Sequence, residues 1–193
     1  MNESDPRPAA VAVVGSPRLR GNTAALVGAV LDELERRGCR CSRIMLADRR
    51  VAGCDGHDDC ADLASCPHDD DADAVLDEVY AADALILASP VYYENVSGQM
   101  KAFMDRNAFR YYHDEWLTAR VVGLIAVAKE SGVDDTLAAL RRFVALSVAE
   151  EPPILTLGGF AGEEGAAAKD SDLMAKARAL GAEMADRLGC AAG

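Results

Sequence analysis

Short, continuously apolar runs alternate along this chain with longer stretches whose apolar residues recur every three or four positions. The first run, Ala9 to Val14, is bounded by Pro8 and Gly15. Unbroken hydrophobicity over so short a length fits a strand buried on both faces. From Asn22 to about Arg37 the period changes. Leu26, Val30 and Leu34 share one face with Val27 and Leu31 beside them, and Gly38 stands where a helix C-terminus favours a left-handed residue. The alternation continues with a strand over Cys41–Leu46 and a helix over Asp73–Tyr80, whose acidic first turn suits the helix dipole. A strand over Ala84–Ala88 follows. Ser97 is the expected N-cap of a helix that ends near Arg110, with Met100, Phe103 and Met104 inward. Then come a strand over Val121–Val127, a helix over Val133–Leu146, and a strand over Ile154–Leu157 after the Pro152-Pro153 break. A glycine-rich loop, Gly158–Gly165, leads to a last helix over Ser171–Leu188.

Strand and helix alternate five times with no internal repeat and no linker, so residues 1–193 read as one domain, with residues 1–8 as a loose tail. Strict alternation with buried strands makes an α/β protein with a doubly wound parallel sheet. The right-handed crossover rule leaves few topologies. For five strands the flavodoxin-like order 2-1-3-4-5 fits best. Its switch point, between strands one and three, is where a ligand belongs.

Composition narrows the function classes. Half the residues are apolar, 27% are charged and the net charge is −12. That acidity excludes nucleic acid or an anionic membrane as the main partner. No apolar run approaches a membrane span, and the first residues lack the basic-then-apolar pattern of a signal peptide. The expected compartment is the cytoplasm. There the six cysteines are thiols or metal ligands. Cys39, Cys41 and Cys190 read as structural.

The two most distinctive loops follow strands one and three. After the first strand, VAVVGSPRLRGNT offers the Ser16 and Thr23 hydroxyls, the Arg18 guanidinium and free backbone N–H groups at a helix start. It has neither the spacing of a dinucleotide fingerprint nor that of a P-loop. Many donors and one cation suit a terminal monophosphate. The same residues also make a plain strand-to-helix turn capped by Asn22 or Thr23, and the loop alone leaves both readings standing. Residues 51–72 form a long loop with three cysteines, two histidines and seven aspartates. Within it Asp69–Asp71 read as the start of a helix, and His68 as solvent-exposed.

Together VVGSPRLRGNT, CDGHDDCADLASCPHDDD and ADALILASPVYYENVSGQMKAFMDR resemble the NAD(P)H-dependent FMN reductase family of flavodoxin-like proteins, in its iron-sulfur flavoprotein-like branch. KDSDLMAKARALGAEMA is similar to that family's last helix. The resemblance implies that Ser16, Arg18, Asn22 and Thr23 cradle the FMN phosphate, and that Pro90, Val91, Tyr92, Tyr93, Asn95 and Ser97 run along the isoalloxazine ring. A Pro-Val-Tyr-Tyr turn after a buried strand offers flat apolar contact and backbone donors, as a flavin ring requires. A third flavin loop is implied at Ala128–Gly132. There Lys129 either neutralises a reduced flavin or sits in solvent, and solvent is the preferred reading. Cys54-x2-His57-x2-Cys60-x5-Cys66 has the spacing of the family's cluster motif, with histidine in place of the second cysteine. Three alternatives stand for it: an iron-sulfur cluster, a zinc site with three thiolates and one imidazole, or no metal at all.

Asp105-Arg106 reads as a surface or subunit salt bridge. Tyr111, Tyr112, His113 and Trp116 read as a substrate mouth or a subunit contact. The implied activity is hydride transfer from NAD(P)H to FMN and on to a small acceptor: a quinone, an azo or nitro compound, or flavin. The flavin carries the chemistry, so no catalytic side chain is expected. The implied assembly is a homodimer or homotetramer. The alternatives are an electron-transfer iron-sulfur flavoprotein and a metal- or redox-sensing module.

Overall fold

The computed structural model describes residues 5–190. Five strands, β1 (Ala9–Val14), β2 (Arg40–Met45), β3 (Ala84–Pro90), β4 (Val121–Ala128) and β5 (Ile154–Phe160), form one parallel sheet in the order β2-β1-β3-β4-β5. Helices α1 (Asn22–Arg36), α2 (Ala72–Tyr80), α3 (Gly98–Arg106), α4 (Ala108–Tyr112), α5 (Val133–Ser147), α6 (Ala166–Lys169) and α7 (Ser171–Leu188) connect and cover it. This is the flavodoxin-like order expected from the alternation.

The two core layers explain the continuous hydrophobicity of the strands. Along β1, Ala10, Ala12 and Val14 face α1 and α7, while Val11 and Val13 face the layer of α2, α3 and α5. Every residue of β4 is buried. A parallel strand covered on both faces has no polar side to show. β5 lies at the sheet edge and alternates between buried and exposed positions in its second half.

Three features depart from the sequence reading. The helix expected from Ser97 to Arg110 is two helices that meet at Asn107. The Asn107 side chain accepts from the Tyr80 hydroxyl at 2.8 Å and donates to Ser147 Oγ at 3.0 Å, which fixes the junction. The loop expected from Gly158 begins later, because Gly158 and Gly159 belong to β5. A Cβ on Gly158 would lie 2.5 Å from Val133 Cγ1, and one on Gly159 would lie 2.8 Å from Leu173 Cδ1. These glycines let α5 and α7 approach the strand, so they serve packing and not a turn. Finally, of the tail expected to be loose, residues 1–4 lie outside the described residues. Pro8 is docked: its carbonyl accepts from Arg40 N at 2.8 Å.

α1 and α7 pack closely. A Cβ on Gly181 would come within 2.6 Å of the Val30 carbonyl oxygen, a backbone atom that has no rotamer to escape into. Gly181→Ala is expected to destabilise the fold by about 1–3 kcal/mol through overpacking, measured as a lower midpoint in chemical denaturation. Unchanged stability would mean the helices separate freely.

Candidate functional site

The loops after β1, β3, β4 and β5 surround a cleft of about 260 Å³ at the carboxyl ends of the strands. Its phosphate end is built by α1. The helix is capped by Gly21, which has no side chain to offer, and its first turn holds no acidic residue. The first intrahelical bond is Ala25 N–H to the Gly21 carbonyl at 3.0 Å. The N–H groups of Asn22, Thr23 and Ala24 therefore precede the hydrogen-bond ladder, and with the helix dipole they favour an anion. Ser16 and Thr23 are buried beside them. Ser16 Oγ accepts from Arg18 N at 3.1 Å and so shapes the turn. The Arg18 side chain is 62% exposed, with Nε 3.9 Å from a Glu164 carboxylate oxygen, so it is free to swing onto a ligand. Asn22 differs from expectation. Its amide donates to the carbonyls of Ala161 and Glu163, and its carbonyl accepts from Ala167 N. The side chain ties the β5 loop to α1, and only its backbone N–H is left for a phosphate.

Pro90, Val91, Tyr92 and Lys129 line the other end of the cleft. Lys129 is 74% exposed at the rim, 3.8 Å from a Glu130 carboxylate oxygen. Tyr93, Asn95 and Ser97 do not line it. Ser97 is the N-cap of α3: it accepts from Met100 N at 3.1 Å and donates to the Gly15 carbonyl at 2.5 Å. It is 1% exposed and joins the first loop to the second. Asn95 closes a two-residue hairpin with Tyr92 (N to O distances 2.8 and 3.1 Å). The two central residues, Tyr93 and Glu94, have φ of 50° and 58°. This turn normally takes Asn-Gly, and each L-residue held there costs about 1 kcal/mol. The strain is braced from the β4 loop: Ser131 Oγ donates to Glu94 at 2.6 Å, and a Cβ on Gly132 would strike Val91 and Glu94 at under 3 Å. The single glycine of that loop thus sits where the two loops interlock. The backbone N–H groups of Val91, Tyr92, Asn95, Val96 and Ser97 all donate within the protein. That leaves the N–H groups of Tyr93 and Glu94, at a hairpin tip outside the cleft lining, so this loop faces the cleft with apolar contact and not with the backbone donors expected.

The side chains of the cysteine loop, for which three alternatives stood, do not converge in the structure. Cys54 is exposed, Cys60 is buried, and Cys66 is half-buried with its Sγ accepting from Arg106 Nη2 at 3.1 Å. His57 stacks edge-on with His68 at 6.4 Å, and His68 is only 18% exposed, against expectation. Among the described residues no three His, Cys, Asp or Glu side chains are gathered closely enough to hold a metal ion. As placed, the set Cys54, His57, Cys60 and Cys66 fits neither a cubane cluster nor a tetrahedral zinc site.

Arg106 corrects another expectation. It is not at the surface: its side chain is 2% exposed and pairs at 2.6 Å with Asp70, which is 5% exposed. Asp70 also accepts from Ala52 N and Ala72 N. Burial raises the Asp70 carboxyl, but Arg106 and the two N–H groups outweigh it and hold the group below its ordinary value. The pair pins both ends of the cysteine loop to α3. Asp105 pairs instead with Lys101. A buried Arg-Asp pair between a helix and a loop more than thirty residues away leaves no local sequence signal. Of the aromatic group, His113 bridges the Phe109 and Leu63 carbonyls. Tyr111 and Tyr112 are about half exposed beside a groove between α3–α4 and α5.

The sheet order, with a cleft at its switch point, defines a flavodoxin-like protein. The family model described as NADPH-dependent FMN reductase matches residues 8–158. The chain is 35% identical over 179 residues to an iron-sulfur flavoprotein of Archaeoglobus fulgidus, covering 92% of this chain and 79% of that one. It is 32% identical over 184 residues to an iron-sulfur flavoprotein of Methanocaldococcus jannaschii, covering 91% and 95%. Among solved structures it resembles an NAD(P)H:quinone oxidoreductase from Methanothermobacter marburgensis (TM-score 0.69, 16% identity, 91% and 96% covered). It also resembles an apo NADH:FMN oxidoreductase (TM-score 0.67, 18% identity, 96% and 91% covered). The chain belongs to the FMN reductase family and is an FMN-dependent oxidoreductase. The uncapped helix end beside an apolar loop fits a phosphate ester that carries a flat ring.

Arg106→Ala strands the Asp70 carboxylate in the interior. It is expected to destabilise the protein by about 3–5 kcal/mol, read by denaturant unfolding. A loss under 1 kcal/mol would show that Asp70 reaches water.

Proposed function

We propose that the protein oxidises NAD(P)H and passes the electrons, by way of FMN in this cleft, to a small acceptor: a quinone, an azo or nitro compound, or free flavin. The observation that carries this reading is the uncapped N-terminus of α1 at the head of a cleft closed by four strand-end loops. Bound FMN supplies two-electron hydride chemistry that no side chain provides. The protein's own residues do the rest. The first-turn N–H groups of α1, the Thr23 hydroxyl and Arg18 take the phosphate, with Ser16 holding the turn. Pro90, Val91 and Tyr92 offer a flat contact to the ring. The braced hairpin keeps these groups fixed while nicotinamide and acceptor use the open side in turn.

The same reading takes the protein as a homodimer or homotetramer, supported by the exposed Tyr111, Tyr112 and Leu146. A second reading, an electron carrier with a cluster on the cysteine loop, draws on the names of the two archaeal relatives. Iron and sulfide content of the purified flavoprotein separates the two.

Arg18→Ala is expected to weaken FMN binding by about 1.5–3 kcal/mol, the worth of a hydrogen bond to a charged group, in a fluorescence titration. Unchanged affinity removes Arg18 from the phosphate site. Steady-state NAD(P)H oxidation with a quinone is expected to give parallel double-reciprocal lines. Failure of NAD(P)H to bleach the flavin under anaerobic conditions would overturn the proposal.

A further inference from the structure

A Gly-Cys pair stands just past the ends of two helices: Gly38-Cys39 follows α1 after Arg37, and Gly189-Cys190 follows α7. Both glycines are left-handed, with φ of 91° and 78°. The chain turns off each helix in the same way and delivers a cysteine to its flank. The helices lie side by side at Gly181, and their ends are joined by Arg37 Nη1 to Asp186 at 2.6 Å. The two cysteines meet there, with Sγ to Sγ at 3.3 Å. The backbone holds both in place. Cys39 N donates to the Leu34 carbonyl at 3.0 Å and Cys190 N to the Ala185 carbonyl at 2.9 Å. Arg120 further secures the end of α7 through the Leu188 carbonyl at 3.0 Å.

We propose that Cys39 and Cys190 form a reversible disulfide that ties α1 to α7 when the protein meets a peroxide. A disulfide needs sulfurs about 2.05 Å apart, so the pair must close by little more than an ångström. Cys190 is half-buried and accessible to a small oxidant, whereas Cys39 is 1% exposed and faces Cys190. Access sets the order of steps. The Cys190 sulfur takes one oxygen from the peroxide: the O–O bond breaks, an S–O bond forms and one water leaves. The Cys39 sulfur then displaces that oxygen, the S–S bond forms, and a second water departs. Both thiol protons end in water, and the two electrons lost by the thiols reduce the peroxide. A thiol reductant reverses the bond. Burial, with the hydrogen bond to Cys190 adding to it, pushes the Cys39 thiol up to about 12. A thiol raised in this way is a poor first target for peroxide, which leaves the first oxidation to Cys190. Cys41 is directed elsewhere, with its Sγ toward the Leu31 carbonyl at 3.7 Å.

The bond would join residues 151 apart in sequence, a long loop whose closure constrains the unfolded chain strongly. It lies at the end of the sheet opposite the cleft. There it complements Asn22, which ties the other end of α1 to the segment leading into α7. The oxidised protein has this helical layer fastened at both ends.

The test treats the FMN-loaded full chain with hydrogen peroxide, maps peptides under non-reducing conditions and follows thermal unfolding. The expected result is a cross-linked peptide pair joining Cys39 to Cys190. A rise in Tm of roughly 5–10 °C should accompany it, reversed by dithiothreitol and absent in Cys190→Ser. Three results would overturn the proposal: both thiols still alkylatable after peroxide, Cys190 recovered paired with Cys41, or the full rise in Tm persisting in Cys190→Ser.

Discussion

One buried hydroxyl holds together the loops after β1 and β3. Ser97 caps α3 and at the same time donates to the Gly15 carbonyl at the end of β1. The contact forms because Gly15 has no side chain: a Cβ there would lie 2.7 Å from Met100 Cβ and 2.9 Å from Ser97 Oγ. β1 and β3 are neighbours whose following helices leave on opposite faces of the sheet. A switch point of this kind splays two loops apart and opens a crevice. The Ser97–Gly15 bond sets how wide that crevice is. It thereby sets the distance between the start of α1 and the Pro90–Tyr92 loop, the two elements proposed to take the phosphate and the ring.

Around that clamp, the remaining contacts give stiffness rather than reactivity. The Tyr93-Glu94 hairpin is strained and stays in place because Ser131 and Gly132 interlock with it. Asn22 draws in the β5 loop, and Arg106 with Asp70 anchors the cysteine loop to the helix that Ser97 caps. This arrangement suits an enzyme whose cofactor performs the chemistry. In the proposed function the protein supplies fixed donors, a cation and a shaped surface.

Most of the architecture was legible because buried parallel strands and amphipathic helices have different periods. The last helix, Ser171–Leu188, matches its expected bounds because Asp170 caps it and Gly189 ends it. The site was legible as loops and less so as individual roles. Ser16, Arg18 and Thr23 line the cleft, but Ser97 and the Asn22 side chain serve other loops, since hydroxyl and amide groups at a helix start suit a ligand and a backbone neighbour equally. Glycines misled for a related reason: Gly158 and Gly159 read as a turn but make room for Val133 and Leu173. The spacing of Cys54, His57, Cys60 and Cys66 left a cluster, a zinc site and no metal open, because spacing does not fix where a loop of this length folds. A buried guanidinium from α3 engages one of its sulfurs instead.

In the proposed function the phosphate anchors the cofactor at the start of α1. Riboflavin shares the ring of FMN and lacks the phosphate, so comparing their dissociation constants on the same apoprotein tests it directly. With a phosphate anchor of several charge-assisted hydrogen bonds, FMN binds at least roughly 100-fold tighter than riboflavin. Equal affinities would contradict the claim and place the anchor at the ring.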